Sequence, residues 1–175
     1  ADTGAPLADA YVDIWDETGR YVGYSYGYSD SSGHYTTSSG FPSGTYFAFA
    51  NPSSSDRSRF ARQLYKGIDC LSSYSDCSVT AGDPIDLTAP NTRSGIDFAL
   101  STGGGIAGKV TDAVTGVGIS NLYVYARMVT ASGNYASQYA STGADGTYTL
   151  SGLPSGRYYV VTSNYSSDYT DEVYD

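Results

Sequence analysis

The sequence predicts an all-β protein built of tandem antiparallel β-sandwich repeats, and three observations support this prediction. The 175 residues include 21 Gly and 6 Pro spread along the chain, so turns interrupt it before a stable helix can form. Nineteen Tyr residues suit a pleated, half-buried surface better than a helix. Turn residues also recur about every ten residues, which is typical of short strands in a sandwich.

An internal repeat divides the chain into two parts. TGAPLADAYVDI (residues 3–14) aligns with TGVGISNLYVYA (residues 115–126), and GFPSGTYF (residues 40–47) aligns with GLPSGRYY (residues 152–159). The period is roughly 110 residues, which favours tandem copies of one β-domain. We therefore predict two domains, residues 1–101 and residues 102–175.

The two copies differ at their ends. The segment GGGIAGKV before the second copy predicts a first strand that has no counterpart before the first copy. Conversely, residues 83–105 at the end of the first copy predict strands without a counterpart in the second. We expect the open strand edges to be completed by further chain of a longer repeat protein or by strand addition from neighbouring chains.

Strands are predicted between the turn signals. In the first copy they are expected at about residues 10–16, 20–28, 34–39, 45–51, 58–65, 84–88 and 95–100. In the second copy they are expected at about residues 106–111, 121–129, 134–141, 146–150 and 157–163.

Alternation along the strands separates a core face from an aromatic face. The predicted core face carries Val12, Ile14, Val124, Ala126 and Met128. The predicted opposite face carries Tyr11, Asp13 and Trp15 in the first copy and Tyr123, Tyr125 and Arg127 in the second. On the strand after Trp15, one face is expected to carry Tyr24, Tyr26 and Tyr28, and the other face Tyr21.

The aromatic residues are the candidate interaction site. Exposed Tyr and Trp rings can stack on sugars or pack between protomers, and they can also cover a sheet face within an array. The sequence does not separate these alternatives. The candidate interface or glycan contacts are Tyr11, Trp15, Tyr24, Tyr26, Tyr28, Tyr123 and Tyr125.

The charge balance limits the classes of partner. Nine basic and 18 acidic residues give a net charge of −9, and binding to nucleic acid or an anionic membrane requires a basic patch. We read the segment with Arg57, Arg59, Arg62 and Lys66 as a solvated loop or edge strand. No apolar stretch approaches the roughly 20 residues that span a bilayer, so we expect neither nucleic-acid binding nor membrane insertion.

Two cysteines, Cys70 and Cys77, lie in one polar loop. A metal site would need more ligands nearby, so a local disulfide is the better interpretation. Closing so short a loop stabilises the fold by roughly 2.5 kcal/mol. Because disulfides persist in oxidising compartments, an extracellular location is expected.

The sequence offers little for catalysis. It contains one histidine, His34, and two glutamates, Glu17 and Glu172, whereas an enzyme needs a positioned acid, base or nucleophile. Asp30 and Asp145 each lie in a Gly-containing turn, where a tight hairpin is favoured over a calcium site, since calcium takes six to eight oxygen ligands. We predict a protein that is not an enzyme and has no catalytic residue, cofactor or metal.

The segments GKVTDAVTGVGISNLYVYA, TGADGTYTLSGLPSGRYYV and SGIDFAL resemble the carboxypeptidase regulatory-like domains of bacterial secreted proteins. These domains are related to transthyretin-like and Cna B-type sandwiches of surface adhesins, with an Ig-like architecture. The resemblance covers nearly all of the second copy and, more loosely, the first. It implies a stalk, spacer or accessory module on the outside of a bacterial cell.

These observations lead to two functional hypotheses. The first is a structural extracellular repeat protein that forms a stalk or filament, with copies of itself as head-to-tail partners. The alternative is a glycan-binding module of an adhesin or secreted hydrolase, with a polysaccharide as the partner of the Tyr and Trp residues.

Overall fold

The computed structural model of the protein describes residues 4–24, 28–37, 40–71, 77–129, 135–164 and 169–174. These residues form eleven strands and one short 3₁₀ turn, Val79–Ala81. Every pair of strands is antiparallel. The predicted all-β class is therefore confirmed.

The strands form three sheets. The first sheet has the order β2-β1-β3-β4-β5, and β6 also pairs with β3. Its strands are β1 (Tyr11–Asp16), β2 (Tyr21–Tyr24), β3 (Gly44–Asn51), β4 (Arg62–Leu64), β5 (Ile68–Cys70) and β6 (Ile85–Leu87). We call these strands and their connections the first unit.

The second unit contains the other two sheets. One sheet pairs β10 with β7, and the other has the order β11-β8-β9. The strands are β7 (Gly104–Lys109), β8 (Tyr123–Val129), β9 (Tyr135–Ser141), β10 (Thr147–Leu153) and β11 (Tyr159–Ser163).

The central strand pair has the same register in both units. Tyr11 of β1 lies opposite Asn51 of β3, and Tyr123 of β8 lies opposite Ser163 of β11. Each residue of the second pair follows its counterpart by the same number of positions, 112. The aligned segments of the sequence therefore form equivalent strand pairs.

The Pro-Ser-Gly corners before β3 and β11 are also equivalent. The hydroxyl of Tyr46 donates a hydrogen bond to the Pro42 carbonyl at 2.9 Å, and that of Tyr158 donates to the Pro154 carbonyl at 2.7 Å. Each tyrosine thereby ties the start of its strand to the preceding turn, which holds the two corners in a common geometry.

The core of the second unit lies between its two sheets. Val124 and Ala126 of β8 are completely buried, and Leu150 of β10 faces them. Ile106 of β7 and Met128 of β8 are partly buried against the same cluster. The prediction that Val124 and Ala126 face the core is confirmed, and the alternation of β8 explains it.

The main sheet of the first unit is covered on both faces. One face holds Val12 and Ile14, as predicted, in a cluster with Tyr46, Ala48 and Ala50. A second cluster holds Phe49, Leu64, Cys70 and Val79 against Trp15. Cys70 of β5 and Val79 of the 3₁₀ turn pack on this second face, so the face opposite Val12 and Ile14 is not a free surface.

Asp13 lies on this second face, opposite to Val12 and Ile14 as alternation predicts. Its side chain is only 6% exposed. The Asn51 side-chain amide donates a hydrogen bond to its carboxylate at 3.0 Å. Burial raises the pKa of the Asp13 carboxyl above its ordinary value, while this hydrogen bond acts to lower it.

The face assigned to Tyr21 was wrong. The register shifts between Ile14 and Trp15, so Tyr24 lies opposite Asp13 whereas Tyr21 lies opposite Trp15. Opposite residues share a face, and a bulge adds one residue to one strand of a pair. Tyr21 therefore lies on the same face as Tyr24, in an edge-to-face contact with Trp15 at 5.3 Å.

Three predicted strands of the first unit differ in the structure. Residues 54–59 form turns instead of the start of a strand, because the Ser53 hydroxyl and carbonyl accept hydrogen bonds from the following main chain. Residues 95–100, and residues 34–36 of the predicted 34–39 strand, belong to no strand. Their apolar side chains, including Tyr35, Phe98 and Leu100, still cover the core.

The Asp13 environment predicts a pH-dependent effect of Asp13→Asn. A raised folded-state pKa means that the native state binds the proton more tightly, so this group's contribution to stability falls as pH rises above about 4. We expect Asp13→Asn to raise the urea midpoint at pH 7 and to change it little at pH 3. Asp83→Asn removes the same charge from an exposed carboxylate and serves as the control. A lower midpoint for Asp13→Asn at both pH values would contradict this.

Candidate functional site: the unit junction and the tyrosine surface

One side chain of the first unit completes the core of the second. Leu71 follows β5, yet it is only 2% exposed and packs with Leu122, Val124, Leu150 and Leu153 of the second unit. The Arg62 guanidinium donates a hydrogen bond to the Leu71 carbonyl at 2.7 Å and so holds this position. The two units therefore share an apolar cluster.

The disulfide lies next to this shared residue. The predicted bond between Cys70 and Cys77 is present, with Cα atoms 5.9 Å apart. Cys70 is 1% exposed and belongs to the cluster with Phe49 and Leu64. The crosslink therefore fixes the residue that precedes Leu71 against the sheet of the first unit.

Main-chain contacts join the units at a second place. The Gly103 amide donates to the Arg59 carbonyl at 2.7 Å, and next to it, within the first unit, the Ala61 amide donates to the Ser101 carbonyl at 3.0 Å. Gly152 of β10 has a φ of +71° and faces the Arg57 carbonyl so closely that a Cβ would overlap it. Only glycine satisfies both the conformation and the space at this position.

The basic segment is more structural than predicted. Arg59 pairs with Asp56 at 3.1 Å and lies 5.0 Å from the Phe60 ring, and Lys66 lies 4.8 Å from the Tyr65 ring. Arg62 was expected in a solvated loop or edge strand, but it lies in β4 and is partly buried at the junction. Its long side chain can satisfy a main-chain carbonyl that a shorter residue would not reach.

The candidate aromatic residues of the first unit are not equally exposed. Trp15 packs on the disulfide cluster, and Tyr11 makes an edge-to-face contact with Tyr28 at 6.0 Å. Tyr24 and Tyr28 are 56% and 66% exposed. Tyr26 lies outside the described residues.

The second unit groups three tyrosines on the outer face of β8 and β9. The rings of Tyr123 and Tyr125 each lie within 6 Å of the Tyr139 ring, at 5.6 and 5.7 Å. The Arg127 guanidinium lies 5.4 Å from the Tyr125 ring, and Tyr139 is 62% exposed. We call Tyr123, Tyr125, Arg127 and Tyr139 the tyrosine surface.

Sequence reasoning missed Tyr139 as a member of this surface. Alternation placed Tyr123 and Tyr125 on one face, but the neighbour of Tyr125 depends on the register of β9. The structure pairs Tyr125 with Tyr139, and opposite residues of antiparallel strands interact. The only available signal was a Tyr at the centre of the predicted strand 134–141.

The turns with Asp30 and Asp145 use their carboxylates within the turn. Asp30 accepts hydrogen bonds from the amides of Ser32 and His34 at 2.8 and 2.9 Å, and these bonds lower its pKa. Asp145 accepts from the hydroxyl and amide of Thr147. Across the described residues, no three His, Cys, Asp or Glu side chains are grouped to hold a metal ion.

Comparison with known proteins gives limited matches. No family model matches the chain, and no curated protein matches it. Among solved structures, a streptococcal ancillary pilin has 14% identity and a TM-score of 0.36, over 96% of this chain and 53% of the pilin. A tetra-tandem repeat from the extending region of a large adhesion protein has 16% identity and a TM-score of 0.24, over 97% of this chain and 41% of that protein.

Similarity at this level does not transfer a function or a partner to this chain. The chain spans about half the length of the pilin and less than half of the adhesion protein structure. The resemblance to carboxypeptidase regulatory-like domains stays a prediction. In the described part of the chain, no helix is long and apolar enough to cross a membrane.

The shared cluster predicts that Leu71→Ala destabilises the second unit. Removing a buried Leu side chain costs about 2–5 kcal/mol, and here the cavity would open against Val124 and Leu150. We expect methyl resonances of those residues to lose native dispersion at lower urea than in the parent. Ile68→Ala, in the same hairpin but 40% exposed, is the control. A loss confined to Trp15 fluorescence would contradict a shared core.

Proposed function

We propose that the protein is a structural module of an extracellular stalk or filament, built of β-sandwich units that follow each other head to tail. In this proposal residues 1–101 and residues 102–175 are two such units. The observation that carries the proposal is the junction at which Leu71 of one unit enters the core of the next. An apolar contact of this kind restricts motion between neighbouring units, which suits a load-bearing array.

The junction supports a fixed angle between units. Domains within one chain usually move relative to each other unless their interface is large and apolar. Here the connection combines a buried leucine, the Gly103 to Arg59 hydrogen bond and a glycine contact at Gly152. A disulfide holds the residue before Leu71. These constraints act on both sides of the junction, which favours a stiff connection.

An extracellular location is supported by the same disulfide, since such bonds persist in oxidising compartments. The strand pairing also suits a load-bearing role, because the central strands carry continuous main-chain ladders. The partners in this proposal are further copies of the protein, joined end to end.

The filament proposal predicts concentration-dependent assembly of the purified chain. We expect negative-stain electron microscopy to show rods or fibres with a regular axial repeat, and sedimentation velocity to show species larger than the monomer. Leu71→Ala is expected to give more flexible or shorter assemblies, and Ile68→Ala to behave as the parent. Monodisperse particles over a hundredfold range of concentration would contradict the proposal.

Glycan binding is a second candidate, favoured by the tyrosine surface. Three clustered rings and an arginine offer flat apolar faces beside a hydrogen-bond donor, which is the chemistry that stacks on sugar rings. In this alternative a polysaccharide occupies the outer face of β8 and β9.

The two candidates are separated by a retention experiment. We expect the double variant Tyr125→Ala, Tyr139→Ala to lose roughly thirtyfold in affinity for a polysaccharide column that retains the parent, because each of the two aromatic contacts contributes about 1 kcal/mol. Tyr24→Ala removes an exposed ring from the first unit and is the control. Equal retention of the double variant and the parent removes this candidate.

A further inference from the structure

In the second unit the strand β7 shows how an added strand can pair with β10 and pack on the core. In β7, Ile106 lies opposite Leu150 of β10 and Lys109 lies opposite Thr147. Ile106 packs on the core cluster of the unit. The strand therefore supplies both a main-chain ladder for β10 and an apolar side chain for the core.

The first unit has the equivalent acceptor segment. Gly33 has a φ of +78° and its amide donates to the Asp30 carbonyl at 2.9 Å. Gly146 has a φ of +83° and its amide donates to the Gly143 carbonyl at 2.9 Å. The residues after Gly146 enter β10, but residues 34–36 after Gly33 belong to no strand. In the described part of the first unit no strand corresponds to β7.

A groove lies beside this segment. Its cavity volume is about 1320 Å³, and its lining includes Leu7, Tyr35, Phe98 and the core residues Val12, Ile14 and Ala50. Pockets for small molecules measure about 300–1,000 Å³, so the groove exceeds that range. A six-residue strand is about 20 Å long. Residues 32–37 line the groove, so an extended polypeptide bound in it would lie beside residues 34–36.

The close contact between Tyr148 and β7 restricts which residue can occupy one position of the strand. In the second unit the Tyr148 ring lies across Gly108, where a Cβ would meet the ring at 2.8–3.0 Å. Tyr35 is the equivalent of Tyr148 in the aligned turns. A strand bound in the same way would place a glycine opposite Tyr35, as Gly108 lies opposite Tyr148 in the second unit.

Charge is also complementary. Asp97 and Arg93 are exposed and line the groove, and Asp30, which pairs with His34 at 3.5 Å, lies in the adjoining turn. The strand β7 carries a single cation, Lys109. In the second unit Lys109 lies opposite Thr147, two residues after Asp145 in the turn equivalent to that of Asp30. A strand with a terminal Lys therefore meets an acidic turn in either unit.

We propose that this groove is the acceptor for an extended strand with the chemistry of β7, supplied by an adjoining unit of the same kind. The strand has a central Ile for the core, a Gly opposite Tyr35 and a Lys at the acidic turn, and it pairs with residues 34–36. This inference rests on the proposed head-to-tail assembly and names the contact through which it continues.

The test adds a synthetic peptide of residues 103–112, GGGIAGKVTD, to the full chain. We expect saturable binding by calorimetry and at least about tenfold slower hydrogen exchange at residues 34–36, with residues 147–150 unchanged. Peptides with Ile106→Asp or Gly108→Val are the matched controls. They are expected to bind at least about tenfold more weakly, because a buried carboxylate is costly and a Cβ overlaps Tyr35.

Several outcomes would overturn the proposal. Absence of binding would do so, as would equal binding of the control peptides or protection at residues 147–150 in place of residues 34–36. Slower hydrogen exchange at residues 34–36 with rising protein concentration, in the absence of peptide, would indicate that another segment of a second copy occupies the groove. Fibres that form unchanged in excess peptide would contradict the role of the groove but not the filament proposal. Peptide binding without any fibres would contradict the filament proposal but not strand binding in the groove.

Discussion

Burial of one alternating face of a central strand pair is the interaction on which the rest of this structure depends. Val12 and Ile14 on β1 face the core with Ala48 and Ala50 on β3. Val124 and Ala126 do the same on β8. A slip of one residue would turn all these side chains to the other face. The common register, and with it the equivalent tyrosine corners, follows from this constraint.

The opposite face of that strand pair is where the two units differ. In the first unit this face holds the buried Asp13, and Trp15 packs on the cluster that contains Cys70 of the disulfide. In the second unit the equivalent face carries the exposed Tyr139 beside Tyr123 and Tyr125. The covering segment does more than protect its own sheet, because Leu71 continues into the neighbouring core. The segment that contains Cys70 and Leu71 thus accounts for two features. It forms the junction between the units, and it covers in the first unit the face that carries exposed tyrosines in the second.

The groove beside Tyr35 and the failure of the 34–39 strand prediction have a common cause. Alternation and turn residues identified an extended segment, but a strand also needs a partner for its main-chain hydrogen bonds. In the second unit β7 provides that partner for β10. Tyr35 instead donates a hydrogen bond to the Ile96 carbonyl at 2.6 Å, so an irregular segment covers part of the core.

Local patterns were sufficient for the all-β class, the core faces of β1 and β8, the disulfide and most strand positions in the second unit. The strands and their faces follow from the alternation of side chains and the turn preferences of Gly, Pro and Asp, which act over a few residues. The disulfide follows from two cysteines in one short loop without further metal ligands nearby. Three features required the tertiary structure: the burial of Asp13, the face of Tyr21 and the entry of Leu71 into the second core. They depend on a fold-over segment, a bulge and a contact between units, and none of these leaves a periodic signal in the chain.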